Sequence, residues 1–542
     1  MRSLAWIAAL AAPSLSGSGL PRDEPPRLVV LLCVDQLFSE QLDRLDAWLD
    51  GGLARIWREG TVHRAAMLSY AATETGPGHA TLATGCRPAR HGLVGNAYHD
   101  RVLGRGMYCV GDQGAQPVTS AGRGEGSSVS PANLLVPGLA DRMRSVFPGS
   151  HCVSIAGKDR AAVSMGGRKG TVLWWDRRDG GFATSTFYGA ELPPFASEWN
   201  AAWMERAGGW RWEADFPGDP ALVGTHADDR PGEAPFGTQG WTFPYELPEG
   251  QEARSILAPA VFATPLIDEF TIELARSAVA AQGLGDDGEP DLLAIGLSGC
   301  DVVGHQYGPY SWEVTDLLLR VDDALAVLFD ELDARVGAGN WIVALSSDHG
   351  VLELPEALAA RDVGARRIDR EESAAVGRAA REALESAYPG VDVGLAYDGR
   401  TFVLDPAAVQ DAGLDGAEVR ATLARAAESV PWVGAAYTLE DLAGDGAVDG
   451  WIGLYRAGFH PDRSEDVVLR AEPWLLGGMG RGTSHGSPYP YDRRIPLAFY
   501  GAGFEARRLH GPAASEDAVP TLLAVLGVAV EDGELDGRSL LE

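Results

Sequence analysis

Three aliphatic runs, widely separated in the chain, each end at or just before an aspartate. Residues 27–34 (RLVVLLCV) lead into Asp35, residues 291–297 (DLLAIGL) into Asp301, and residues 341–346 (WIVALS) into Asp348. None of the runs alternates apolar with polar residues, so a strand built from any of them must be buried on both faces. That requirement points to a parallel sheet covered by helices on both sides. Open α/β sheets bind their ligands beyond the carboxyl ends of their strands. Three carboxylates are therefore expected at the ligand-binding edge of one sheet.

Histidines accompany these aspartates. Asp301 and His305 are four residues apart, a spacing that places both on one face of a helical turn. Asp348 is followed directly by His349, and Gly350 is expected to permit the bend that lets neighbours share a site. His485 lies in the glycine-flanked segment Gly482-Thr-Ser-His-Gly486. Mixed carboxylate and imidazole donors suit Zn²⁺, and two such ions can clamp the attacking and leaving oxygens of a phosphoryl group. Each fragment alone reads as an ordinary turn, cap or surface histidine more often than as a ligand. Their joint placement at strand ends has no structural requirement.

Thr75-Gly-Pro-Gly-His79 supplies a hydroxyl at the start of a helix-like stretch. A threonine there is commonly an N-cap. The same position carries backbone N–H groups and a positive dipole end that favour a phosphate. A hydroxyl activated by a metal would be a nucleophile. Thr73 and Glu74 have no role assignable from sequence.

Composition limits the alternatives. The formal charge is −31, with 45 basic and 76 acidic residues. Nucleic acid or an anionic membrane as partner is disfavoured, because both require a basic surface. Phosphate capture must then come from local cations. Only two of the basic residues are lysines, Lys158 and Lys169; a lysine in a chain that otherwise uses arginine implies a chemical reason, and Lys158 follows a strand-like run. The bland alternative for Lys158-Asp159-Arg160 is a solvated charge run.

Residues 1–20 read as a secretory signal peptide, with one arginine ahead of an apolar run and then small residues. This implies a periplasmic or secreted protein. No later run is long enough for a membrane span. The five cysteines are too scattered for a zinc ribbon or a disulfide framework; Cys33 and Cys300 read as buried small hydrophobes. Residues 312–337 have the periodicity of a helix linking two sheet strands. The Gly-, Pro- and Trp-rich stretch 97–290 reads as an insertion capping the site, and 352–480 as a second insertion with helices near 371–388 and 416–429. The chain then returns to the core with a strand at 495–500 and a helix near 515–527.

Taken together, Asp35, Thr75-Gly-Pro-Gly-His79, His91-Gly-x-x-Gly-Asn96, Asp301-x-x-x-His305, Asp348-His349-Gly and His485-Gly resemble the alkaline phosphatase superfamily. They are most similar to the branch of type I phosphodiesterase/nucleotide pyrophosphatases and PafA-type alkaline phosphatases. The resemblance implies an α/β fold with a central, mostly parallel sheet covered by helices and cap insertions, over residues 27–542. It implies two Zn²⁺ ions, one held by Asp301, His305 and His485, the other by Asp35, Asp348, His349 and the Thr75 oxygen. It implies Asn96 as a donor to a phosphoryl oxygen, and it matches Lys158 and Arg160 to the cationic pair of the monoesterases. His79 and His91 are expected to be structural. The implied activity is hydrolysis of small phosphate monoesters through a phospho-threonine; the alternative is a phosphodiesterase or nucleotide pyrophosphatase on the same scaffold. A sulfatase is disfavoured because residue 75 is threonine, and a noncatalytic metal-binding protein would not need a nucleophile.

Overall fold

The computed structural model describes residues 24–250, 254–444, 450–478 and 480–541. The leader-like segment 1–20 lies outside them.

The strand Leu28–Val34 is the axis of an eleven-stranded sheet. It pairs in parallel with Asp291–Leu297 on one side and Trp341–Ser346 on the other, with Leu28 level with both Asp291 and Trp341. Side chains alternate across a strand, and this one shows why both sets are apolar. Leu28, Val30, Leu32 and Val34 enter one hydrophobic core, formed with the helices Ser39–Leu45, Gly52–Glu59, Leu266–Gln282 and Trp312–Leu332. Val29, Leu31 and Cys33 enter a second, formed with the helices Thr75–Thr84, Asp159–Gly166 and Ala518–Val525. Helices therefore cover both faces, as the sequence predicts.

The parallel order continues through Cys152–Ala156 and Thr171–Trp175. This corrects the reading of 97–290 as a cap alone, since these two strands, three further strands of the same sheet and the covering helix Leu266–Gln282 come from within it. Both strands are only five residues long and lie between glycine-rich loops, whose composition dominates the segment. On the other side, Leu497–Gly501 joins Trp341–Ser346 antiparallel.

Within 352–480, the strands Ala396–Tyr397, Thr401–Val403, Val467–Ala471 and Val433–Thr438 form a separate sheet. The helices Arg370–Ala387 and Gly416–Glu428 back it and match the expected periodic stretches. This module has its own core, including Val376, Phe402, Val419 and Leu423. All five cysteines are buried and unpaired. Among the described residues no single helix is long and apolar enough to cross a membrane.

Candidate active site

The parallel register delivers the carboxylates together. Asp35 follows the central strand, its N–H donating to the Leu297 carbonyl at 2.9 Å. Asp301 and His305 lie on the helix Gly299–Tyr307, which starts two residues beyond the neighbouring strand. Asp348 and His349 follow the strand on the other side. The three aspartates and His349 are buried, and the His305 side chain is 30% exposed.

His485 is brought in from a distant loop. Its ring stacks on His349 with centroids 3.5 Å apart, and its Nε2 lies 3.5 Å from Asp301 Oδ1. His305 Nε2 lies 3.2 Å from the same oxygen. His349 Nε2 is 3.3 Å from Asp348 Oδ2 and 3.5 Å from Asp35 Oδ1. Donor atoms of Asp301, His349 and His485, and of Asp35, Asp348 and His349, converge closely enough to hold an ion each.

The outer contacts of the three rings match this use. His305 Nδ1 faces the Thr483 carbonyl at 2.7 Å, His349 Nδ1 that of Gly350 at 3.0 Å, and His485 Nδ1 that of Thr73 at 2.6 Å. A carbonyl at Nδ1 fixes the proton there and leaves Nε2 as the ligand atom. Asp35 Oδ1, Asp348 Oδ2 and His349 Nε2 are buried with no hydrogen-bond partner. Orphaned buried polar atoms are costly, and three of them facing one point fit a cation.

Electrostatics agree. Burial, with Asp301 and Asp348 nearby, raises the Asp35 carboxyl well above the usual range. Burial opposes ionisation of Asp301 too, but His305 and Lys158 hold it well below its ordinary value. Asp348 is likewise lowered, His349 and His79 outweighing burial. Burial lowers His349 to about 3, so its imidazole is neutral at physiological pH, the form that binds metals. Three clustered carboxylates are thus more negative charge than the protein balances by itself.

Thr75 is the first residue of its helix rather than the cap; Glu74 occupies the cap position. The Thr75 hydroxyl faces two cations instead. Lys158 Nζ lies 3.3 Å from Thr75 Oγ1 and 2.5 Å from both Asp35 Oδ2 and Asp301 Oδ2. Arg160 Nη2 lies 3.2 Å from the same hydroxyl. Burial acts against the charge on both cations. It is outweighed at Lys158 by Asp301 and Asp35, and at Arg160 by Tyr108 and Asp159, so both pKa values rise. Asn96 Oδ1 accepts the Gly76 N–H at 2.7 Å, which leaves Nδ2 as the amide's donor end.

The glycines of the threonine motif have a steric reason. A Cβ on Gly78 would overlap the Asp348 backbone, and one on Gly76 would lie 2.8 Å from Cys109 Sγ. The nucleophile helix thereby touches the metal-ligand strand end directly. Gly350 serves the same purpose, not the expected bend: its φ is not positive, and a Cβ there would overlap the Tyr491 carbonyl. Gly78→Ala is expected to destabilise the fold by about 1–3 kcal/mol through overpacking, measurable by denaturant unfolding.

The structure thus gathers Asp35, Thr75, Asn96, Lys158, Arg160, Asp301, His305, Asp348, His349 and His485 around one centre. It adds residues that sequence reading did not assign. Gln36, at φ +70°, donates its backbone N–H to Asp348 Oδ1 at 3.1 Å and its side-chain amide to Asp301 Oδ1 at 2.9 Å. A polar residue directly after a strand-end aspartate was the available signal. His79 Nδ1 lies 3.0 Å from the Thr75 carbonyl and 3.2 Å from Asp348 Oδ2. His91 instead bonds Thr81 Oγ1 and the Leu93 N–H, away from the centre.

Sheet, strand-end aspartates and helix-borne threonine together define a member of the alkaline phosphatase superfamily. Residues 29–473 match the family model for type I phosphodiesterase / nucleotide pyrophosphatase, and the chain belongs to that family. It is 31% identical over 537 residues to alkaline phosphatase PhoK of a Sphingomonas species, covering 95% of this chain and 91% of the relative. It is 30% identical over 520 residues to alkaline phosphatase PhoV of Synechococcus elongatus, covering 94% and 92%. The crystal structure of alkaline phosphatase PafA superposes with a TM-score of 0.85 at 27% identity, over 96% of this chain and 99% of that one.

Proposed function

We propose that this phosphate monoester hydrolase works with two zinc ions and forms a phospho-threonine at Thr75. The observation that carries the reading is the convergence of Lys158 and Arg160 on the Thr75 hydroxyl, beside two groups of metal-binding side chains. Asp301, His305 and His485 would hold one ion, and Asp35, Asp348, His349 and Thr75 the other. Bound there, the ions lower the pKa of a hydroxyl and neutralise charge on phosphoryl and leaving oxygens.

The remaining work falls to the chain. Thr75 Oγ1 attacks phosphorus while the ester oxygen departs, and water later cleaves the threonine ester. Arg160 and the Asn96 amide hold the phosphoryl oxygens in line with that attack. Lys158, fixed between Asp35 and Asp301, adds positive charge where the nucleophile sits. The burial of the centre strengthens each of these contacts by excluding water.

The deciding experiment is the ratio of kcat/KM for an aryl phosphate monoester to that for the matching diester, on zinc-reconstituted protein. A large preference for the monoester is expected; a preference for the diester would refute the reading. His485→Ala and Asp301→Ala should each lower bound zinc by about one ion per chain with the fold retained, because a lost ligand weakens its own site while the sheet is held by its cores. Full zinc content by elemental analysis in either variant would remove that residue from the ligand set. We further propose export, on the leader-like residues 1–20; mature protein from the periplasm or medium should then begin beyond that segment.

A further inference from the structure

We infer that Glu74 is a positioning residue for Asn96, and that Arg400 of the inserted module compensates its charge. The inference rests on the proposed role of Asn96 as a phosphoryl donor. Glu74 occupies the cap position of the nucleophile helix, yet its side chain makes no capping bond. It turns outward instead. Oε2 accepts the Asn96 backbone N–H at 2.7 Å. Asn96 is therefore held at two points by the residues flanking Thr75, its backbone by the Glu74 carboxylate and its amide oxygen by the Gly76 N–H. This arrangement registers the donor amide to the nucleophile itself.

A carboxylate one residue from the nucleophile also repels an anionic ester. The structure supplies a counter-charge. Arg400 Nη1 lies 3.5 Å from Glu74 Oε1, and Arg400 Nη2 donates to the His485 carbonyl at 3.3 Å. Its guanidinium passes where a Cβ of Gly486, at φ +108°, would stand. Arg400 lies next to the strand Thr401–Val403 in the module that has its own core, and its side chain is 58% exposed. It can therefore be replaced without disturbing either main core. The geometry gives the module a role at the site: it neutralises the acid that orients the phosphoryl donor.

A double-mutant cycle tests both parts on zinc-loaded, full-length protein. Asn96→Ala and Glu74→Ala should each lower kcat/KM for an aryl phosphate monoester by about tenfold or more, the scale of a lost charge-assisted hydrogen bond. The double variant should be within about twofold of Asn96→Ala alone, because Glu74 acts through Asn96. Glu74→Gln, which keeps the acceptor oxygen, should retain most of the activity. Arg400→Ala should weaken inhibition by inorganic phosphate, and that effect should vanish in the Glu74→Gln background. Zinc content should stay at the wild-type level throughout. Equal losses from Glu74→Ala with and without Asn96, or zinc loss in Glu74→Ala, would overturn the inference. Unchanged kinetics in Asn96→Ala would refute the role of Asn96 itself, a separate failure.

Discussion

Thr75→Ala is expected to lower kcat by about 10³–10⁶, the range seen when a covalent nucleophile is deleted while binding and charge stabilisation remain. Thr75 Oγ1 is the only hydroxyl of the threonine motif that faces both Lys158 and Arg160. Its removal leaves the cations, Asn96 and all six Asp and His ligands in place, and takes one oxygen donor from the ion held by Asp35, Asp348 and His349. The loss should therefore fall chiefly on kcat with the fold unchanged, measured at saturating zinc because one donor of the second site is lost. Thr75→Ser keeps the oxygen and should retain far more activity, reduced by the greater rotational freedom of an unbranched side chain. Rapid quench of wild type with labelled substrate should trap label on the peptide containing residue 75. Wild-type turnover by Thr75→Ala would show that another group attacks phosphorus.

The parts legible from sequence are those whose physics is local. A seven-residue aliphatic run such as Leu28–Val34 can only be satisfied between two cores, and the structure supplies both. The aspartates just beyond the runs then follow from strand direction. Arg370–Ala387 and Gly416–Glu428 were visible because an amphipathic helix writes its period into the chain. Cys152–Ala156 shows as the strand-like run ahead of Lys158, but its place in the central sheet does not, and Thr171–Trp175 carries little pattern in five residues bounded by glycine-rich loops. The antiparallel sense of Leu497–Gly501 depends on where the chain has been, not on its composition.

Within the site, residue type and spacing indicated the ligands, but not the contacts that orient them. Gln36 reaches Asp301 across 265 positions. It does so only because residue 304 is glycine, for a Cβ there would overlap the Gln36 amide. The Thr73 carbonyl that turns His485 and the Glu74 carboxylate that holds Asn96 are similarly properties of the assembled loop. Thr75 itself was ambiguous with a cap. The ambiguity ends when Glu74 is found in the cap position and the Thr75 hydroxyl beside two cations.

Those two cations carry the question of specificity. Lys158→Ala and Arg160→Ala are expected to depress monoester hydrolysis by about 10²–10³, the usual effect of removing one preorganised donor to a developing charge. Diester hydrolysis should fall much less. The reason is a difference of one charge: a monoester brings an anionic oxygen that a diester replaces with an ester group. Lys158 is buried between Asp35 and Asp301 and Arg160 beside Tyr108 and Asp159, contacts that keep both fully charged at neutral pH. With a chain charge of −31, no long-range field can substitute for them. Lys158→Ala also leaves two buried carboxylates without their ammonium, so zinc content must be measured beside the kinetics. Arg160→Ala disturbs the ligands less, since Arg160 Nη2 meets the Thr75 hydroxyl and its loss leaves no buried carboxylate ligand without a counter-charge. It is the cleaner arm. If Arg160→Ala slows monoester and diester by the same factor at full zinc content, the pair does not discriminate between them, and the site is better read as that of a diesterase.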